Sequence, residues 1–327
     1  MLKSSALNDG FAASNMSLFT ETPFSLIKLV GIMTAIEEVR ILLLADGNVR
    51  IRDVLGEFGF CALVDVLHDN NSTYRILFDT GSSTPAIRHN LEVMEENLFS
   101  VDVIVLSHGH SDHVGGLPEV LSISEKKIPV ICHPNALKPK YLTEPDGTRY
   151  NAGIQDYFTR TQLETATAVI ESSEPFRLCD GIVTTGEVPR TNDFEKLTGN
   201  LTKITTEMNG NEVFDELIDD ISIVFQMADD SIVILAGCCH SGIVNTTQHA
   251  MKLAATSSVK AIVGGLHLHD ASQYRLEKTV DFLSGVSFST IAPCHCTGLR
   301  GRAALMRAFE AQFKDIGVGS LLTFMSD

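Results

Sequence analysis

The segment Val101-Asp-Val-Ile-Val-Leu-Ser-His108-Gly-His110-Ser-Asp112-His113-Val-Gly-Gly116 sets four metal-capable side chains within six residues, directly after an apolar run. Residues 101–106 are predicted to form a buried strand, and a helix is predicted from Gly115 to about Leu121. The cluster therefore falls in a strand-to-helix loop. His108 and His110 alternate at a strand end, so their side chains point the same way. Asp112 and His113 then curl over the opposite side. One loop can thus offer two imidazoles to one ion and a carboxylate plus an imidazole to a second, a donor set suited to zinc and also to manganese or iron. Three of the chain's 11 histidines in one six-residue window argue against a chance polar turn.

The flanking sequence extends the same pattern. Strands are expected at 39–45, 60–66 and 74–78, and a helix over 84–98 from Ile87, Leu91, Met94 and Leu98 at helical spacing. A short strand follows at 128–132. Residues 134–218 are rich in charge and carry Pro139, Pro145, Pro175 and Pro189. They read as long, pocket-shaping loops around one strand at 181–186. The second half begins with a hairpin of 221–226 and 231–236. Helix 242–256, strand 259–263, helix 272–284, strand 288–292, helix 299–312 and a last strand near 318–324 complete it. Two halves of this kind predict an α/β fold, a four-layer αββα sandwich.

The remaining candidate ligands also follow strands, where functional groups of an α/β sheet gather. His240 lies in Gly237-Cys238-Cys239-His240-Ser241-Gly242, and His295 in Pro293-Cys294-His295-Cys296-Thr297-Gly298. Both are assigned as metal ligands, with Cys238 as an alternative donor from its loop. Cys239, Cys294 and Cys296 read as packed thiols. Asp79, after strand 74–78, could hold a ligating imidazole by its other nitrogen, or simply make a turn with Gly81. His267 could donate a proton or contact substrate, and so could His133; each could equally begin a helix. His68, His89, His249 and His269 are placed on solvated turns or helix faces.

Composition limits the partners. The formal charge is −16, and Arg300, Arg302 and Arg307 make the only local basic cluster, so nucleic acid is disfavoured and a small-molecule substrate is expected. Seven cysteines, four of them beside histidine, suit thiols near ligands in a reducing compartment, and the cytoplasm is the expected location. Residues 24–36 are mostly apolar but carry Lys28 and are too short to cross a bilayer. Residues 1–34 read as a disordered extension and 35–327 as a single domain, with homo-oligomerisation left open.

The pattern Asp79-Thr80-Gly81 followed by His108-x-His110-x-Asp112-His113 resembles the metallo-β-lactamase superfamily over residues 39–327. Gly186-Glu-Val-Pro-Arg190, Gly237-Cys-Cys-His-Ser-Gly242, Gly264-Gly-Leu-His267 and Pro293-Cys-His-Cys-Thr-Gly298 look like the branch named for a dihydropterin-ribofuranosylaminobenzene phosphate synthase. The resemblance implies an αββα fold and one or two metal ions, the first held by His108 and His110, the second by Asp112 and His113, with His295 matching the superfamily's late His. Two positions depart from the pattern. No His occurs between His133 and His240, so either His240 supplies the third-motif ligand from another loop or the first ion is weakly held. The bridging Asp is replaced by Cys238. The activity expected is that of a metallo-hydrolase opening a lactam or lactone with metal-activated water, Asp112 orienting the water and His267 or His133 protonating the leaving group. The alternatives are phosphoester or pterin-type synthase chemistry, and an iron-dependent oxidoreductase.

Overall fold

Alternation along each strand decides which side chain faces which layer. In β1 (Ile36–Ala45), Val39, Ile41 and Leu43 enter one core and Leu44 another; in β3 (Thr73–Phe78), Ile76 and Phe78 join the first core and Leu77 the second. β4 (Val103–Val105) divides likewise, with Val103 and Val105 on one face and Ile104 on the other. These strands, with β2 (Cys61–His68), β5 (Val130–Cys132), β8 (Val169–Glu171) and β17 (Leu321–Met325), make a seven-stranded sheet in the order β17-β1-β2-β3-β4-β5-β8. A second, six-stranded sheet runs β16-β15-β14-β13-β10-β9, where β9 is Arg177–Cys179, β10 Ile182–Thr184, β13 Ser222–Gln226, β14 Ile232–Ala236, β15 Val259–Gly265 and β16 Thr290–Cys294.

The inner faces of both sheets share one core: Ile41, Phe60, Phe78 and Val105 from the first meet Ile223, Phe225, Leu235, Val263 and Ala292 from the second. Helices cover the outer faces. Ile87 and Leu91 of α1 (Thr84–Val93) and Leu117 and Val120 of α3 (Leu117–Ile123) pack on the first sheet, beyond the short α2 (Ser111–Val114). With α4 being Arg160–Ala166, helices α5 (Ile243–Ala254), α6 (Gln273–Ser284) and α7 (Gly298–Ala308) cover the second. The layers are therefore αββα, as expected. Because strands on both faces of each sheet are buried, they read in sequence as nearly unbroken apolar runs.

The structure, a computed structural model, describes residues 34–327 apart from Ser83 and Glu125, so the extension expected over residues 1–34 lies outside the described residues except for Thr34, which bonds to Asp180. No described helix is long and apolar enough to cross a membrane. Two expectations need correction. The helix over 84–98 ends at Val93, because Glu95 takes a left-handed conformation (φ 56°) and the Glu96 N–H returns to the Leu91 carbonyl, closing a Schellman-type stop. Residues 134–218 hold more than long loops around one strand. They contribute a four-stranded sheet, β12-β11-β6-β7, built from β6 (Lys140–Thr143), β7 (Arg149–Asn151), β11 (Ile204–Met208) and β12 (Asn211–Phe214). Its alternation is hidden because β12 is exposed along its whole length.

Candidate metal centre

The parallel strands β4, β14, β15 and β16 end on one side of the sandwich, and the loop after each delivers ligands to the same place. The loop after β4 carries His108, His110, Asp112 and His113; that after β14 brings Cys238 and His240; those after β15 and β16 bring His267 and His295. Four of the loop residues, Asp79, Cys239, His267 and His295, are non-glycines with φ between 44° and 61°. Such backbone persists only where the surroundings enforce it, and it gathers at functional sites.

Two pockets result. In the first, His108 Nε2 lies 3.0 Å from His110 Nδ1 and 3.1 Å from His240 Nε2. In the second, His113 Nε2 and His295 Nε2 are 3.1 Å apart, with Asp112 Oδ2 3.7 Å and 3.5 Å from them. Tetrahedral zinc with Zn–N near 2.05 Å separates its nitrogens by about 3.3 Å, so both sets fit a divalent cation with only a slight opening. The fit is also chemical. His108 Nε2, His110 Nδ1 and His240 Nε2 converge so that all three lone pairs can reach one cation, whereas three imidazoles that only filled a core could satisfy one another only in part. Burial, reinforced by the neighbouring imidazoles, lowers His108 and His240 well below the usual range, and burial together with Lys140 takes His110 down to about 3. His295 also falls to about 3, mainly through burial. Neutral imidazole is the form that binds a metal. His113 goes the other way, to about 9: burial opposes its charge, but Asp112 and Asp79 outweigh it. A cation in that pocket would take the place of the proton.

Asp79 sets the tautomers. Its Oδ2 lies 2.7 Å from His113 Nδ1 and accepts from Ser107 Oγ at 2.7 Å, and Ser107 Oγ lies 2.9 Å from His108 Nδ1. A carboxylate only accepts, so both Nδ1 atoms carry the proton, directly for His113 and through Ser107 for His108. Gly237 is required beside this relay, because a Cβ there would collide with Ser107. Asp79→Asn should lower metal affinity about 10- to 100-fold while leaving the ligands in place. Titration of the chelator-stripped protein with zinc checks this, and unchanged affinity would remove Asp79 from the role.

Asp220 adds a titrating group behind His240. One carboxylate oxygen accepts from the His240 N–H, and the other has no partner among the described residues. Burial pushes the carboxyl up from 3.8 to about 7; the His240 N–H opposes this and Asp219 adds to it. The folded protein therefore holds this proton more tightly than the unfolded chain does. The corresponding stability is present below pH 3.8 and lost as pH rises to about 7. In metal-free protein, Asp220→Asn should gain stability over wild type on going from acid to neutral pH, on the order of 2–4 kcal/mol at the upper end. Urea unfolding across that window decides it; a pH-independent difference would contradict it.

The other expected residues divide. His267 stands at the rim of the first pocket, 4.6 Å ring-to-ring from His240, with Nδ1 3.4 Å from Cys238 Sγ. His133 is committed elsewhere: its Nδ1 accepts from the Asn135 N–H and its Nε2 faces Glu187 at 3.1 Å, so neither nitrogen is free to protonate a leaving group. His68 is buried on β2 against the Asp180 carbonyl instead of lying on a solvated turn, whereas His269 sits on an exposed turn as expected, its ring edge-on to that of His267 at 4.8 Å. Cys296 is not a packed thiol remote from the site. Its Sγ lies 3.1 Å from Cys238 Sγ, within the ligand cluster formed with His295. Its position directly after His295 was the available signal. Sequence reasoning also missed Lys140, which is fully buried between Asp215 and Asp219, with Asp219 accepting from the Gly109 N–H inside the His108–His113 loop.

The family model of the metallo-beta-lactamase superfamily matches residues 55–187. The 7,8-dihydropterin-6-methyl-4-(beta-D-ribofuranosyl)-aminobenzene-5'-phosphate synthase of Methanocaldococcus jannaschii is 32% identical over 272 residues, covering 82% of this chain and 90% of that protein. Among solved structures, a metal-dependent hydrolase of the beta-lactamase superfamily is 26% identical with a TM-score of 0.71, covering 88% of this chain and all of that one. A diphosphatase from the PhnP family shares the fold at 13% identity and a TM-score of 0.50, over 88% of this chain and 98% of that one.

Proposed function

The chain belongs to the metallo-β-lactamase superfamily, and from that premise we propose that it is a metal-dependent hydrolase that opens a small cyclic amide or ester. The observation that carries this reading is the pairing of two ligand pockets, His108/His110/His240 and Asp112/His113/His295, across one loop. Divalent cations held there would supply Lewis acidity and a water acidified toward neutral pH. The protein's own contribution is positioning. Asp79 and Ser107 hold His108 and His113 with Nε2 turned inward. Asp112, part-exposed and 3.5 Å from His295 Nε2, presents a carboxylate able to orient water. His267, whose Nε2 has no partner among the described residues, is placed to pass a proton to a leaving nitrogen or oxygen. Zinc is the cation favoured by this imidazole-rich set, with manganese or iron as competitors.

Electrostatics supports a neutral or weakly charged substrate. The chain carries a formal charge of −16, and Lys140, whose partner Asp219 touches the loop, is already enclosed by two carboxylates. A phosphate group would draw much of its counter-charge from the metal ions. Pterin-type synthase chemistry is the second reading, favoured by the 32% identity over most of the chain. The test is turnover of lactams, lactones and phosphoesters by protein loaded in turn with zinc and manganese, alongside a dihydropterin substrate with an aminobenzene acceptor. Metal-dependent ring opening is expected. Turnover of phosphoesters or of the pterin pair alone would replace the proposal, and iron accompanied by oxygen uptake would remove hydrolysis altogether.

A further inference from the structure

On the reading that these pockets hold metal, we infer that Cys238 and Cys296 are both ligands, so that one end of the centre is a thiolate pair selecting a soft divalent ion. Cys238 sits where the two pockets meet. Its Sγ lies within 4.8 Å of candidate ligand atoms of His108 and His113, of His240 and His267, and of His295 and Cys296. It therefore faces a ligand of the first pocket and ligands of the second at once. Cys296 reaches the same point from the loop after β16, with its Sγ 3.1 Å from that of Cys238 and 3.3 Å from the His267 N–H. Both thiols are buried.

The separation is informative. A disulfide would bring the sulfurs to about 2.05 Å, whereas two thiolates on tetrahedral zinc at about 2.3 Å each stand roughly 3.8 Å apart. The observed pair needs only a small outward movement to reach the second arrangement. Backbone strain points the same way. Cys239, His267 and His295, each next to one of these thiols or in contact with it, all hold positive φ, so the backbone around the pair is held in the strained form that gathers at functional sites. His267 also lies beside the pair, its Nδ1 3.4 Å from Cys238 Sγ. Charge balance completes the case. Two divalent cations set among neutral imidazoles and Asp112 would leave a buried positive excess, because Asp79 is already engaged by His113 and Ser107. Two thiolates offset much of it. Thiolate donors favour zinc-class ions over magnesium and manganese, so zinc or cobalt should displace manganese from the full-length protein.

Zinc-loaded wild-type protein should show a sulfur shell at about 2.3 Å in the zinc X-ray absorption fine structure. Cobalt-loaded protein should show a near-ultraviolet thiolate-to-cobalt charge-transfer band that weakens in Cys296→Ser and is lost in the double variant with Cys238→Ser. The wild-type spectrum decides the matter even if a variant fails to fold. Bound zinc with nitrogen and oxygen neighbours only would overturn the thiolate assignment and leave the metal reading standing. An intact mass showing a Cys238–Cys296 disulfide in metal-loaded protein would overturn it as well. Failure of the wild type to retain any ion would overturn the metal reading and this inference with it.

Discussion

His240→Ala is expected to empty the first pocket and to reduce turnover about a thousandfold. The ring supplies one of three converging nitrogens, 3.1 Å from His108 Nε2, and its removal leaves two ligands from a single loop. Lewis-acid stabilisation of developing charge is worth several kcal/mol; roughly 4 kcal/mol corresponds to a factor of about 10³. Stability separates this from a packing role. The ring packs against His108, His110 and His267, and its Nδ1 has no partner among the described residues, so in metal-free protein its loss should cost mainly the cavity it leaves, a cost that does not depend on zinc. In zinc-loaded protein the variant should lose the stabilisation that bound metal confers on the folded state, about 4 kcal/mol at a thousandfold excess over Kd. Metal analysis, kcat/KM and paired unfolding curves with and without zinc provide the readouts. Full metal content with undiminished turnover would sink the assignment of His240 to the pocket.

The placement of His240 shows what a sequence can and cannot carry. The ligand types were legible because each follows a buried strand, and buried strands read as apolar runs: 101–106 before His108, 231–236 before His240, 288–292 before His295. That strands far apart in sequence end side by side follows from the parallel pairing of β14, β15 and β16. The absent third-motif His was visible as a gap, and the fold fills the space with His240 from the neighbouring loop. Cys296 was misread because a buried thiol is most often packing, and nothing local states that its partner Cys238 lies far back in the chain, in the loop after β14. Residues 134–218 resisted because their small sheet is half-exposed and lacks a clean period. Lys140 within it carries no local sign of burial, since long-range partners alone justify burying that charge.

Lys140→Met is expected to destabilise the protein by about 3–5 kcal/mol while keeping the volume of the side chain nearly constant. Lys140 Nζ lies 2.6 Å from Asp215 Oδ2 and 3.1 Å from Asp219 Oδ2, all three side chains being almost wholly buried. Burial opposes the ammonium charge, but Asp219 and Asp215 outweigh it and raise Lys140 above its usual range; Asp219, opposed by burial, is held below the usual carboxylate range by Lys140 and His110. The Lys140 contribution is therefore present below the unfolded lysine pKa of 10.5 and lost as pH rises through the higher folded value. That of Asp219 is present above 3.8 and lost as pH falls through its lowered folded value. At neutral pH, removing the lysine leaves two buried carboxylates facing each other. Neutralising them as well, with Asp215→Asn and Asp219→Asn in the same chain, should recover most of the loss, because a buried charge cluster replaced as a set is often close to neutral. A cost below about 1 kcal/mol in urea unfolding of the single variant would show that the carboxylates find water or protons instead. The consequence reaches the metal centre through one bond. Asp219 Oδ2 accepts from the Gly109 N–H at 3.0 Å, and Gly109 sits between His108 and His110 where a side chain would strike Ala136. The cluster thus sets the spacing of the first two ligands, and the single variant should bind zinc more weakly, by about 10-fold or more. The set of three should bind it nearly as well as wild type, because the amide carbonyl introduced by Asp219→Asn still offers the Gly109 N–H an acceptor.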